Sequence, residues 1–371
     1  MQLTTGERII AGSGLESIAR KVVSGERLSF KDGCALYRGN FHALGWLANL
    51  VRERLHGKLA FFICNQHINY SNICTNGCTF CAFGKEPGQE GAYEMSIEEI
   101  SRKVQERLSD PITELHIVGG CHPSLPLEYY LEMLRTVKKL RPNCHIQGFT
   151  CVEIAHFAQL YGMAVEDVLA AFKEAGLGSI PGGGAEVFSS RVRRALCPRK
   201  LSPVRWLDVA RKAHLMGLKT NATMLYGHIE TVEERVEHLI TLRELQDETR
   251  GFLTFIPLAF HPENTRLAHL PPPTGLDELR TTAVARLILD NFHHIKSFWI
   301  MSSPKIAQIS LHFGADDIDG TIIEEKITHM AGAKTAENMP KEELIWLIRE
   351  AGRTPVERDT LYEELKEYSV A

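Results

Sequence analysis

Three cysteines, Cys74, Cys78 and Cys81, fall within eight residues in the spacing C-x3-C-x2-C. Thiolates this close together bind a soft metal, and their number says which centres fit. A structural zinc site wants four ligands in two short pairs, and an electron-transfer iron–sulfur cluster wants four thiolates. Three thiolates leave one iron of a 4Fe–4S cluster open to a ligand from outside the protein. Zinc with a histidine as fourth ligand is the rival, His67 being the nearest, and chance clustering of thiols is the plain alternative. The chain has nine cysteines, an odd number. The other six (Cys34, Cys64, Cys121, Cys144, Cys151 and Cys197) hold no pair at two-residue separation, so a disulfide scaffold is not expected. Cys121 stands apart because it directly follows Gly119-Gly120 at the end of an apolar run.

An open iron has a chemical use. The amino and carboxylate groups of S-adenosylmethionine can chelate it, which sets the sulfonium where one electron splits it into methionine and a 5′-deoxyadenosyl radical. The protein then binds, orients and excludes water while the cofactor carries the hard step. Gly77 lets the loop fold tightly, and Phe80 and Phe83 shield it from solvent.

Such a loop needs a scaffold that presents it. Residues 1–58 read as helical, with apolar positions Ile9, Ile10, Leu15, Ile18, Val22 and Val23, then 44–50. From Leu59 the pattern alternates. Strand-like runs at 60–69, 114–118, 145–150, 178–180, 220–225, 252–258 and 297–301 are separated by amphipathic helices. Ser96 with Glu99 and Thr231 with Glu234 are capping-box pairs, Ser202-Pro203 opens a helix, and Gly217 can close it. Strands alternating with helices predict an α/β fold, a TIM-type (β/α) barrel, complete or slightly open, over residues 59–330. The rival is a doubly wound sheet, whose Gly-rich fingerprint after the first strand is missing. Residues 331–371 read as a helical C-terminal segment, with a helix around 341–351. The cysteine loop follows the first strand, at the barrel end where such folds place chemistry.

Composition narrows the partners. Of 371 residues, 44% are hydrophobic and 24% charged, enough apolar material for a full core. The net charge of −4 gives no overall attraction to nucleic acid or anionic lipid. No signal peptide and no run of ~20 apolar residues is present, so neither nucleic acid nor membrane is an expected partner and the expected setting is cytoplasmic.

The cysteine loop, with Phe80 before the last thiol, resembles the radical S-adenosylmethionine superfamily. The wider chain resembles its aminofutalosine synthase family, which serves menaquinone biosynthesis by the futalosine route. The matching segments include Gly91-Ala-Tyr-Glu-Met-Ser96, His116-Ile-Val-Gly-Gly120, Pro181-Gly-Gly-Gly-Ala-Glu186, Thr220 to Glu230 and Ile256 to Thr265. Dehypoxanthine futalosine cyclases share the triple glycine but resemble the chain less at 225–228 and 258–262. Deazaflavin-precursor (FO) synthases share the cluster loop and usually lack the triple glycine. The resemblance implies a transferase that consumes S-adenosylmethionine as co-substrate. Its adenosyl group adds to 3-[(1-carboxyvinyl)oxy]benzoate, and rearrangement and decarboxylation give 6-amino-6-deoxyfutalosine. An external one-electron reductant of flavodoxin or ferredoxin type is implied as well.

Secondary positions come from the resemblance (Gly119 and Gly120) or from side-chain chemistry and place after a predicted strand, each with a structural alternative. Gly119 and Gly120 would expose carbonyls to the methionine amino group, or mark a close strand–loop contact. Glu153 would take ribose hydroxyls, or cap a helix. Glu186 would meet the adenosyl or methionine part, and Arg194 or its neighbour Arg193 a carboxylate. His67, His228 and His261 are candidates for carboxylate or proton handling, against ordinary hydrogen-bonding roles. Asp316, Asp317 and Asp319 read as turn and capping residues. Two other function classes stay open on the residues alone: an iron–sulfur electron carrier and a zinc-stabilised binding module.

Overall fold

A computed structural model of the chain describes residues 5–369. Four helices come first, Thr5–Ile10, Glu16–Ser24, Phe30–Arg38 and Phe41–His56, as the apolar spacing requires. Eleven strands follow: β1 (Leu59–Ile63), β2 (Asn65–Ile68), β3 (Glu114–Ile117), β4 (His145–Gly148), β5 (Ser179–Ile180), β6 (Lys219–Tyr226), β7 (Phe252–Ala259), β8 (His294–Ile295), β9 (Asp317–Gly320), β10 (Thr354–Arg358) and β11 (Glu364–Glu367).

Strands β2 to β8 lie side by side in chain order, every neighbouring pair parallel. A doubly wound sheet would reverse its order at a switch point, so this is the barrel. Residues around β9 close it. The Ser297 amide donates to the Asp317 carbonyl at 2.8 Å on one edge, and the His67 amide to the Ile323 carbonyl at 2.8 Å on the other. The chain thus completes a ring.

Alternation along the strands decides what each residue faces. Leu115, Ile117, Ile146, Ala222, Met224 and Phe255 join the core beneath the helices. Their neighbours His67, Glu114, His116, Gln147, Asn221, Thr223 and Ile256 line the barrel interior. The helices carry the signals expected of them. Ser96 with Glu99 and Thr231 with Glu234 make both reciprocal capping bonds. Pro203 starts the helix Pro203–Leu215, and Gly217 beyond its end sits at φ +79°.

Four expectations need correction. The run 60–69 is two strands, split at Cys64, with β1 in a separate sheet of order β11-β10-β1-β9. The run 297–301 is not a strand. Trp299–Ser302 is a short helix, because Trp299 leaves the barrel for a second core with Phe62, Ile318 and Leu344 and donates its indole N–H to the Gly320 carbonyl at 2.8 Å. Asp317 and Asp319 lie in a buried strand rather than a turn. The cations that permit this come from afar: Arg358 Nε donates to Asp317 Oδ2 at 2.6 Å, and Lys296 stands by Asp319. Finally, the C-terminal segment is helical only over Lys341–Glu350. Gly352, at φ +67°, ends it, and β10 pairs parallel with β1.

Beneath the barrel Arg286 and Asp316 form a fully buried ion pair. Arg286 also donates to the carbonyls of Gly314, Phe292 and His293, and Asp316 accepts from His294 Nδ1 at 2.6 Å. Replacing Arg286 by Met strands the carboxylate in the core, and a loss of about 3–5 kcal/mol in urea unfolding is expected. His56 and His294 flank Asp316, at 3.6 and 2.6 Å. Burial, with help from Arg286, holds the His56 imidazole down to about 4 against the pull of Asp316; without the guanidinium His56 takes up a proton beside Asp316 more readily as pH falls. That compensation is present at low pH and lost as pH rises, so the deficit should be smaller at pH 5.5 than at pH 8.

Candidate active site

The loop after β2 is held by its own backbone before any ligand arrives. The Cys74 amide donates to the Lys85 carbonyl at 2.8 Å and the Lys85 amide to the Asn72 carbonyl at 2.8 Å. The Asn72 side chain accepts from the Tyr93 amide and donates to the Gly91 carbonyl, both at 2.8 Å. Gly77 turns the loop at φ +57°, where a side chain would also strike Arg199. Cys74, Cys78 and Cys81 are half-buried and border one cavity of about 340 Å³.

Gly119 and Gly120, just past β3, lie directly on this loop. A Cβ on Gly120 would stand 2.2 Å from the Ile73 carbonyl oxygen and 3.0 Å from Cys74 Cβ; one on Gly119 would stand 2.6 Å from the Tyr70 ring. The Gly120 amide donates to the Ser71 carbonyl at 2.8 Å. Both glycines also border the cavity. Close contact is therefore one reason for them, and it leaves their exposure to a ligand intact.

Two further cysteines touch the trio. The Cys121 thiol beside Cys74 favours its thiolate and pulls Cys74 down to about 5, although burial opposes it. Cys78 is raised by its neighbour Cys197 and by burial. Burial also raises Cys81, whose sulfur accepts from the Gly84 amide at 3.3 Å.

Glu153 is buried, and both its oxygens are taken by protein donors. Oε2 accepts from the Thr150 amide and hydroxyl at 2.8 and 2.9 Å, and Oε1 from Tyr70 and the Gly119 amide at 2.8 and 3.0 Å. Burial pushes its pKa up to about 7 against these donors. Its geometry is that of a helix cap which also fixes Gly119. Glu186 sits at φ +51° and pairs with Lys200, whose ammonium lies 5.4 Å from the Phe80 ring centre. Phe80, Glu186 and Lys200 all border the cavity, as do His67 and His261. His261 Nε2 lies 3.0 Å from the Met301 carbonyl, and His67 stacks on His116 with ring centres 4.5 Å apart.

Two sequence-derived candidates are not brought to the cavity. Arg194 is exposed on the helix Ser190–Leu196, and Arg193 turns inward to the carbonyls of Ala185 and Leu201. His228 is enclosed between Glu230, 2.7 Å from Nδ1, and the Leu225 carbonyl, 3.0 Å from Nε2. Burial opposes ionisation of Glu230, yet His228 and Arg235 hold it at about 2. His228 thus belongs to an internal charge network. The cations that do reach the cavity, Lys200 and Lys296, carry no motif in the sequence. Lys296 directly follows β8, whereas Lys200 lies beyond the helix Ser190–Leu196 with no strand before it to mark it.

The donor set fits an iron–sulfur cluster. Three thiols edge one cavity, and a Cβ on Gly84 would lie 3.5 Å from Cys74 Cβ and 3.6 Å from Cys81 Sγ, so two of the cysteines meet at one glycine. Among the described residues no helix is long and apolar enough to cross a membrane.

Comparison with known proteins agrees with this geometry. The model of the Radical SAM superfamily matches residues 68–242, and that of the CofH/MqnC C-terminal region matches residues 249–369. The chain is 49% identical to the aminodeoxyfutalosine synthase of Thermus thermophilus, over 94% of this chain and 95% of that one. It is 44% identical to the aminodeoxyfutalosine synthase of Streptomyces coelicolor, over 95% and 94%. In fold it is similar to the FeFe-hydrogenase maturase HydG from Carboxydothermus hydrogenoformans, with a TM-score of 0.72 at 16% identity, covering 96% of this chain and 84% of that one.

The glycine contact can be tested directly. Gly120→Ala should push the cysteine loop outward and lower iron and sulfide content after anaerobic reconstitution by more than half. The far-ultraviolet circular dichroism of the barrel should stay unchanged.

Proposed function

Because the chain belongs to the radical SAM superfamily, and within it to the aminodeoxyfutalosine synthase family, we propose that it joins the adenosyl group of S-adenosylmethionine to 3-[(1-carboxyvinyl)oxy]benzoate. Rearrangement and decarboxylation then yield 6-amino-6-deoxyfutalosine. The observation that carries this reading is the trio of thiols, three and not four in C-x3-C-x2-C, at the mouth of a deep cavity.

Cys74, Cys78 and Cys81 would hold a 4Fe–4S cluster. When bound there, it supplies the electron that splits S-adenosylmethionine, and an external donor of flavodoxin or ferredoxin type replenishes it. The remaining work belongs to the chain. Gly119 and Gly120 offer backbone close to Cys74, where a side chain would obstruct a chelating amino acid. Lys200, half-buried and kept charged beside Glu186, places a cation near Phe80 for a carboxylate. Val118, Leu225, Ile256, Leu258 and Phe260 give the cavity apolar walls that keep water from a reactive carbon. These walls suit an aromatic substrate.

Reconstituted protein given reductant, S-adenosylmethionine and the enolpyruvyl benzoate should release methionine and a coupled nucleoside, identified by mass. Release of 5′-deoxyadenosine alone, with the benzoate unchanged, would refute the substrate. Cys78→Ala should lose the cluster's visible absorption and all turnover, while its unfolding midpoint stays close to that of the unsubstituted protein without iron. The barrel's core does not depend on that loop.

A further inference from the structure

The cavity descends from the cysteine loop to a floor unlike that of an ordinary (β/α) barrel, which is filled by Val, Ile and Leu. Here the floor is polar: Asn65, His67, Glu114, His116, Lys296 and Asp319. Lys296 is 7% exposed, yet among the described residues its ammonium has only one carboxylate within 4 Å, Asp319 Oδ2 at 3.4 Å. His67 is 6% exposed and borders the cavity, its ring stacked on His116 and without a hydrogen-bond partner among the described residues. Burial depresses both imidazoles, so each stays neutral with an N–H to offer. A buried cation and an N–H donor bordering the cavity ask for an anion with more than one acceptor atom.

We propose that Lys296, with His67 and His116 beside it, is the binding site for the substrate's ring carboxylate. This rests on the adenosyl-transfer reading. The enolpyruvyl carboxylate sits on the carbon next to the reacting methylene, so it must stay near the cysteine loop, where Lys200 is. The ring carboxylate is the far end of the molecule and points down the barrel. It replaces Asp319 as the partner of Lys296. Asp319, raised by burial and set next to Asp317, can take up a proton and so balance the incoming charge. The floor then selects an aryl acid and fixes how deep the reacting carbon lies.

The test compares the enolpyruvyl benzoate with its ring carboxamide, which keeps the shape and loses the charge. For the unsubstituted protein, KM should be about 30-fold higher for the amide. Lys296→Gln should raise KM for the acid about 30-fold and leave that for the amide within about 3-fold, abolishing the preference; Lys296→Arg should retain it. Equal KM values for acid and amide in the unsubstituted protein would overturn the proposal. So would a Lys296→Gln variant that impairs both substrates alike, as a purely structural lysine would. Calorimetry with 3-methoxybenzoate and 3-methoxybenzamide reads the same preference without turnover. Failure to form the coupled nucleoside would therefore count against the reaction, and loss of the calorimetric preference against the subsite. Should Lys296→Gln not fold, the calorimetric comparison on the unsubstituted protein still decides.

Discussion

The site depends on one contact of backbone with backbone. The chain leaving β3 runs so close to the chain leaving β2 that neither Gly119 nor Gly120 has room for a side chain. Three amide-to-carbonyl bonds make up the contact: Val118 to Ile68 at 3.1 Å, Gly120 to Ser71 at 2.8 Å and Thr75 to Cys121 at 3.1 Å. Through it the cysteine loop is anchored to the barrel rather than to a mobile surface, and the Glu153 cap stiffens the contact from the other side. Parallel strands put both loops at the same end of the barrel, so the contact follows from the topology. Glycine only makes it short enough.

The barrel itself was legible because its signals are local. Alternating strands and helices, capping boxes and a helix-opening proline each lie within a few residues, and each forms as read. The strands that failed depend on distant partners. Nothing near Asp317 announces Arg358 as the cation that lets an acidic run be buried. Trp299 leaves the barrel for a core built largely from residues after 300. The end of the chain reads as helical throughout, but β10 is a strand because β1 offers it an edge.

The candidate site divides the same way. The thiols were found from spacing, since metal ligands on one loop must be close in sequence. Arg194 was chosen for its guanidinium and His228 for its place beyond a strand end; the first faces solvent and the second is enclosed beside Glu230. Lys200 and Lys296 have no motif, because one cation facing a cavity needs only a direction, set for Lys296 by the end of β8 and for Lys200 by the loop after the helix Ser190–Leu196. Side-chain chemistry names candidates; the alternation of inward and outward positions chooses among them.

The pairing of β10 with β1 joins Leu59 to Thr354, so a strand made early waits for one made roughly 300 residues later. On the ribosome the edge of β1 stays unsatisfied while the whole barrel emerges. A chaperone that shields such edges would matter more here than in a barrel whose neighbours are all consecutive. Any metal delivered during synthesis would meet the three thiols long before the floor and the closing strand exist. Loading in the cell is thus expected to follow release of the finished polypeptide rather than accompany translation.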